Sequence, residues 1–594
     1  IFMNWDLSSY FKEFDGAEMN TFLHRLHSDI ERWTAKAAAL PPLNRRNAAM
    51  WEKFFLKYEE ITARFLHISS YIGCLSACDA RNEKYARAES DIAILGAGVA
   101  KLEIELFRAI RKASKTVFES FTARKGFKGA RHFLNKMLIE ARHSMAPELE
   151  RLAEDLGVDG IEAWGRLYDS ISGKLEFDME FPDGKKERLP ISMRRSLLDN
   201  PDRRIRRAAF EGGNAAWQSV ETVAASALNA ISGTRLTLNK NRGIKHFLEV
   251  ALFQSSITRK TLDAMMQAIY ENLELPRRIL RLKAKMMGTR GVAWYDLGAP
   301  IPLAEQEELS WKKGRALVKD SFSRAYPALG DFIQKTFERK WIEWETREGK
   351  RPGAFCTSSL LTNESRVYMT FSGTMGDART LAHEVGHAFH SHVMKGLRPF
   401  AHNYPMTLAE TASTFAEMIF TDGMLKDPAT SAEMKKFILD QELGHASIYL
   451  MDIPVRFEFE KALYEERAEG EISISRLKEM MTETQRRIFG DTLEPGGEDP
   501  MFWASKLHFY ITEVTFYNFP YTFGFLLSRG LYHLFKTEGA AFLPRYEKFL
   551  ELSGSDTCEN VARASIGRDI ETPQFWREAI SSLEEPLKQL EDII

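Results

Sequence analysis

A mainly α-helical fold is predicted by two features of the chain. Apolar residues recur at three-and-four spacing over most of its 594 residues, as in Phe22 to Trp33 and again from Thr261 to Met287, which is the repeat of helices that bury one stripe. Strand-like alternation is confined to two short segments. In the first, Leu175, Phe177, Met179 and Phe181 alternate with polar residues and Pro182-Asp183-Gly184 supplies a turn, so a small hairpin is expected there. In the second, Arg366 to Ser372 alternates in the same way and ends at Gly373, shortly before a further helix.

A length of 594 residues exceeds what one core normally supports. Hydrophobic residues at 44% and charged residues at 28% give the balance of a globular protein rather than a disordered or fibrous one. With 81 Lys and Arg against 83 Asp and Glu, the formal charge is -2, and the field of the whole chain favours neither nucleic acid nor an anionic membrane. The Arg-rich run from Met193 to Phe210 lies on a segment rich in leucine and alanine, and reads as a solvated or ion-paired helix face. No stretch approaches 18 uninterrupted apolar residues. Cys74, Cys78, Cys356 and Cys558 are too few and too scattered for a disulfide scaffold, and the opening segment lacks the basic and apolar regions of a secretory leader. A cytoplasmic protein with reduced thiols is expected, with no nucleic-acid or membrane partner. Nothing in the pattern sets an oligomeric state.

The chemistry is concentrated between Asp377 and Val393. Asp377 is a candidate N-cap, and Leu381, Val385, Ala388 and Phe389 form an apolar stripe. On that helix His383 and His387 stand at i and i+4, so two imidazoles can converge on one Zn²⁺. Glu384, beside the first histidine, can reach the metal's water without binding the metal, which suits a general base. Catalytic zinc usually takes a third protein ligand. Three and six residues after His387, where one class of zinc peptidase carries Gly and His, stand His390 and Val393, which excludes that class. The segment after Thr407 offers Glu410 and Glu417 on one helical face. From the pattern alone Glu410 is equally the second half of a Thr407-x-x-Glu410 capping box. His390 could support the site from behind, and His392 points elsewhere. Asp377 and Glu417 are candidates to orient the ligating rings.

These residues resemble the oligoendopeptidase F branch of the thimet-oligopeptidase-like zinc peptidases. His383 to His390, HEVGHAFH, is similar to that family's HExGHxxH, and Glu410 to Glu417, ETASTFAE, to its downstream glutamate motif. Further segments follow in family order: WDLSSYF from Trp5, ALFQSSITRKTLDAM from Ala251, WYDLGAP around Asp296, KRPGAFC around Gly353 and TPQFW from Thr572. The resemblance implies that Glu410 is the third ligand of one Zn²⁺ per chain. It implies a gluzincin-type site with a small β-sheet near the zinc helix, inside a two-lobed helical ellipsoid that encloses a deep substrate channel. It divides the chain into an N-terminal helical region at 1–110, an oligopeptidase F-type N-terminal domain with the hairpin at 111–190, and a metallopeptidase catalytic domain at 191–594.

The same resemblance assigns Arg366 to Ser372 and Gly373 to a channel wall where a peptide adds as a strand. It makes His508 and Tyr517 the donors to the scissile carbonyl and its oxyanion, with Tyr510 and Tyr521 as further substrate-binding groups. The activity implied is hydrolysis of internal bonds in short peptides. A helical zinc carboxypeptidase and a non-catalytic peptide-binding protein stay open as alternatives, and mapping of products from a blocked peptide separates them.

Overall fold

The computed structural model describes residues 3–300 and 308–594. Helices dominate, and the described strands form two small sheets. The long amphipathic repeats become helices as expected: Phe22 to Trp33 falls within Ala17–Ala38, buried through Leu26 and Ile30. The repeat from Thr261 to Met287 is split into two helices, Arg259–Glu271 and Glu274–Met287, because the chain turns at Asn272. Asn272 spends its side-chain amide on the Ala268 carbonyl there.

The chain separates into two compact units, each assembled from three stretches. One unit takes residues 1–143, 306–427 and 534–568; the other takes 144–305, 428–533 and 569–594. Each unit therefore interleaves sequence segments rather than following the consecutive division drawn from the resemblance. The first unit is built on the 31-residue helix Ala48–Cys78, whose Trp51, Phe55, Ile61, Ile68 and Cys74 are fully or almost fully buried. All four cysteines are free thiols, and burial pushes the Cys78 thiol up to about 12.

The second unit holds the hairpin. Strand β1 (Glu176–Glu180) pairs antiparallel with β2 (Lys186–Pro190), and Phe177 and Met179 are packed with Ala209 and Ala216 of a neighbouring helix. Of the arginines in the run that begins at Met193, Arg194, Arg203, Arg204, Arg206 and Arg207 are ion-paired. Arg203 and Arg206 both hold the fully buried carboxylate of Asp296, at 2.7 and 2.9 Å, and Arg207 pairs with Glu211. Among the described residues no helix is long and apolar enough to cross a membrane.

The sheet of the first unit comprises β3 (Ile342–Glu343), β4 (Phe355–Ser359) and β5 (Glu364–Tyr368), in the order β3-β5-β4. The strand expected over Arg366 to Ser372 is thus shorter and begins earlier. It is also the central strand: β3 pairs parallel with Val367 and Tyr368, and β4 pairs antiparallel with Glu364 to Tyr368. Both edges of Val367 and Tyr368 are occupied, so a peptide cannot add to those two residues, which corrects the expectation for that part of the segment from Arg366 to Ser372.

Beyond the sheet, Gly373 turns the chain at φ +90, a conformation that side chains with a Cβ rarely adopt, and its carbonyl accepts from Leu309 N at 2.8 Å. The histidine helix (Met375–Val393) starts here and packs on β4, β5 and the glutamate helix (Thr411–Lys426). Its N-cap is Thr374 rather than Asp377. The Thr374 hydroxyl accepts from Asp377 N, and the Asp377 carboxylate accepts from the Ser372 and Thr374 amides.

Gly386 sets how closely the two helices approach. A Cβ built there would lie 2.6 Å from the Ala412 carbonyl oxygen and 2.6 Å from Ser413 Cα, and neither backbone atom can yield without moving its helix. In an exposed helix Gly→Ala stabilises by about 0.5–1 kcal/mol. At this position overpacking at a cost of about 1–3 kcal/mol outweighs that gain. Gly386→Ala is therefore predicted to lower the melting temperature, measured by circular dichroism. A variant that melts at or above the wild-type temperature would contradict the close approach.

Candidate metal centre

The histidine helix and the glutamate helix bring three donor atoms into a near-equilateral triangle. His383 Nε2 lies 3.2 Å from His387 Nε2 and 3.2 Å from Glu410 Oε2, and His387 Nε2 lies 3.3 Å from the same carboxylate oxygen. These three residues are the group able to hold a metal ion among those described. An ion bonded at 2.0–2.1 Å to three corners of a tetrahedron separates those corners by about 3.3–3.4 Å, so the donor set fits zinc. The fit leaves the fourth corner for water or substrate. The two imidazoles and the Glu410 side chain are only partly buried, which keeps that corner accessible.

Electrostatics point the same way. Burial opposes a charge on His383, but the Glu410 and Glu417 carboxylates lift its pKa to about 10, so the cluster calls for positive charge between the rings. Glu410 is itself partly desolvated, yet its bonds to His383 and His387 hold its carboxyl well below the usual carboxylate range. A divalent cation answers both demands.

Glu410 stands at the junction of a short helix, Met406–Ala409, and the glutamate helix. Pro405, not Thr407, is the N-cap of that short helix, so the Thr407–Glu410 capping box does not form. The Glu410 oxygen that faces the histidines also accepts from Ser413 Oγ at 2.8 Å, which fixes its direction. Behind the ligands, Glu417 accepts from His383 Nδ1 at 2.5 Å and from Arg379 Nε at 2.5 Å. A carboxylate on the far ring nitrogen selects the tautomer that offers Nε2 to a metal. Burial raises the Glu417 carboxyl, but Arg379 and His383 overcome it and hold it at about 2. Glu417 thus occupies the orienting position expected for it. Asp377 does not, because its carboxylate is spent on the turn amides. Arg379 and Ser413 were not singled out from the sequence; the signal for Arg379 is its place four residues before His383, on the same helical face.

Glu384 is buried, and its Oε2 has no hydrogen-bond partner. Burial raises its pKa, against the pull of the two neighbouring imidazoles. A carboxylate kept dry and unpartnered next to the donor triangle is poised to take a proton. The other two histidines of this helix are structural. His390 is fully buried, bonds through Nε2 to Ser553 Oγ and the Leu550 carbonyl, and stacks on Tyr404. His392 packs against Phe332 and Phe389.

The late aromatic segment belongs to the second unit. His508 stacks on Tyr517 with ring centres 5.5 Å apart, and Tyr521 meets both rings. Burial and the nearby Lys506 and Arg456 push His508 down to about 4, so its imidazole is neutral at neutral pH. Tyr510 departs from the expectation of a substrate-binding group. It is buried, stacks on Tyr168 at 3.7 Å and donates its hydroxyl to the Trp503 carbonyl, which leaves it no group to offer a ligand.

Comparison with known proteins agrees with this reading. Residues 322–581 match the model of Peptidase family M3, and residues 110–177 match the model named Oligopeptidase F. An oligoendopeptidase F homologue of Lactococcus lactis is 25% identical over 560 residues, covering 90% of each chain. A Chlamydophila abortus protein described as a peptidase shares the fold with a TM-score of 0.86 at 20% identity, over 99% of this chain and 98% of that one. The oligoendopeptidase-F of Enterococcus faecium shares it with a TM-score of 0.70 at 18% identity, over 97% and 98%. The HExxH helix and Glu410 lie inside the first match and the hairpin at the border of the second, so the chain carries a Peptidase family M3 domain over residues 322–581 and an Oligopeptidase F domain over residues 110–177.

Proposed function

We propose that this protein is a zinc-dependent oligoendopeptidase that hydrolyses internal bonds of short peptides. The observation that carries the reading is the triangle of His383, His387 and Glu410 donors with the unpartnered Glu384 oxygen beside it. Two imidazoles and one carboxylate favour zinc among the common divalent ions. Held by His383, His387 and Glu410, zinc would supply Lewis acidity to the scissile carbonyl and would lower the pKa of water at the site toward about 7.

Glu384 takes a proton from the attacking water on its unpartnered Oε2 and returns it to the leaving amine nitrogen. Its burial matters for the second half of that exchange, since a carboxyl with a raised pKa is a better proton holder near neutrality. Glu417 and Arg379 keep the His383 ring in its ligating tautomer throughout. His508 and Tyr517 are proposed as the donors to the carbonyl oxygen as it gains charge, with Tyr521 steadying Tyr517. Their support is the motif from His508 to Gly524 together with the neutral, partnerless state of His508 Nδ1. One such donor is worth about 3 kcal/mol. Gly373 is proposed as a substrate contact on the resemblance of its turn. Four free thiols fit a reducing, cytoplasmic setting.

Glu384→Gln should keep fold and metal but lose about two to four orders of magnitude in kcat on a quenched peptide, with metal content measured in parallel. Near-normal turnover would remove Glu384 as the base. Glu410→Ala should lose the metal on dialysis. Glu417→Ala should keep all three ligands but weaken zinc affinity about 10- to 100-fold in a chelator competition. Full zinc loading of the Glu410 variant would point to another third ligand.

A further inference from the structure

The second unit gathers positive charge that its own residues do not neutralise. Arg456 pairs with Asp452, one helical turn away, through Nε at 3.1 Å and through Nη2. Its Nη1 has no acceptor among the described residues. The Lys506 ammonium makes no ion pair or hydrogen bond with any described residue. Its Nζ lies 5.6 Å from the centre of the Phe502 ring, and the same ring carries the Arg456 guanidinium at 5.5 Å. The charges that act on Lys506 are Arg456 and Arg195 on the positive side and Asp452 on the negative. Burial leads, and with the arginines it brings Lys506 down to about 8. Two residues on, His508 is incomplete as well, because its Nδ1 is buried without a partner.

An ammonium stripped of much of its water beside a second cation is costly, and one aromatic face offsets only part of that cost. The arrangement becomes favourable once an anion arrives, since an ammonium and a guanidinium both make short, charge-assisted bonds to a carboxylate. Every peptide with a free C-terminus brings such a group, and so does an Asp or Glu side chain. We propose that Lys506 and Arg456, carried on the ring of Phe502 beside His508, form a carboxylate-binding subsite that selects peptide substrates by an anionic group. This rests on the peptidase reading, in which the segment around His508 contacts the peptide.

Four peptides of one length test it. One pair, free of Asp and Glu, differs only in a C-terminal acid or amide; the other pair is amidated and differs only in Asp or Asn at one interior position. The zinc-loaded full chain should prefer the charged member of one pair by about 10- to 100-fold in kcat/KM, the range of one charge-assisted bond. The pair that shows the preference identifies the source of the carboxylate. Lys506→Met should bring that ratio close to one, and Lys506→Arg should restore most of it. Equal cleavage within both pairs by the wild type, or a ratio untouched by Lys506→Met, would overturn the subsite. Should Lys506→Met fail to fold, Lys506→Gln carries the same comparison and the wild-type ratio decides by itself. If none of the four peptides is cleaved, the peptidase reading fails instead; calorimetric binding of the same pairs to Glu384→Gln protein then reads the carboxylate preference without turnover.

Discussion

The close contact of two helices at Gly386 governs the rest of the site. With no side chain at that position, the backbone of the histidine helix comes against Ala412 and Ser413 at the start of the glutamate helix. Glu410 sits one residue before that helix begins, so the same contact that packs the two elements also delivers its carboxylate to His383 and His387. The donor triangle is therefore a product of helix packing, not of a flexible loop closing on an ion. Sites built on packed helices hold their geometry to a few tenths of an ångström, as a catalytic metal requires.

Charge explains why the donor side chains point where they do. Glu410 and Glu417 flank His383 on its two ring nitrogens, Glu410 facing Nε2 and Glu417 accepting from Nδ1. Arg379 then holds Glu417, so each anion behind the site has a cation of its own. Glu384 is the exception, a buried carboxylate left without a hydrogen-bond partner on Oε2. Structure that serves stability alone rarely leaves such an atom unanswered. The second unit shows the opposite imbalance at Lys506, where a cation waits for an anion.

Much of this was legible because it is local. Two histidines at i and i+4 with a glutamate between them place themselves on one helical face in any sequence, and the hairpin at Glu176 follows from alternation ended by a turn. Glu410 was harder, since Thr407-x-x-Glu410 reads equally as a capping box; only the resemblance separated the two, and Pro405 turned out to take the cap. Asp377 misled for the same reason, as the capping box runs from Thr374. The central place of β5 was hidden, because β3 comes from a different stretch of chain and pairing between distant segments leaves no local period. Tyr510 was lost among aromatics: in an irregular segment no repeat says which ring faces inward, and the choice falls to its stacking on Tyr168.

The central claim is that His383, His387 and Glu410 together bind one zinc ion and leave a place for solvent. X-ray absorption at the zinc edge, on protein loaded with one equivalent, reads that shell directly. Two imidazole nitrogens at about 2.0–2.1 Å with oxygen donors from a carboxylate and water are expected. A shell containing sulfur, or a third imidazole in place of the carboxylate, would contradict it.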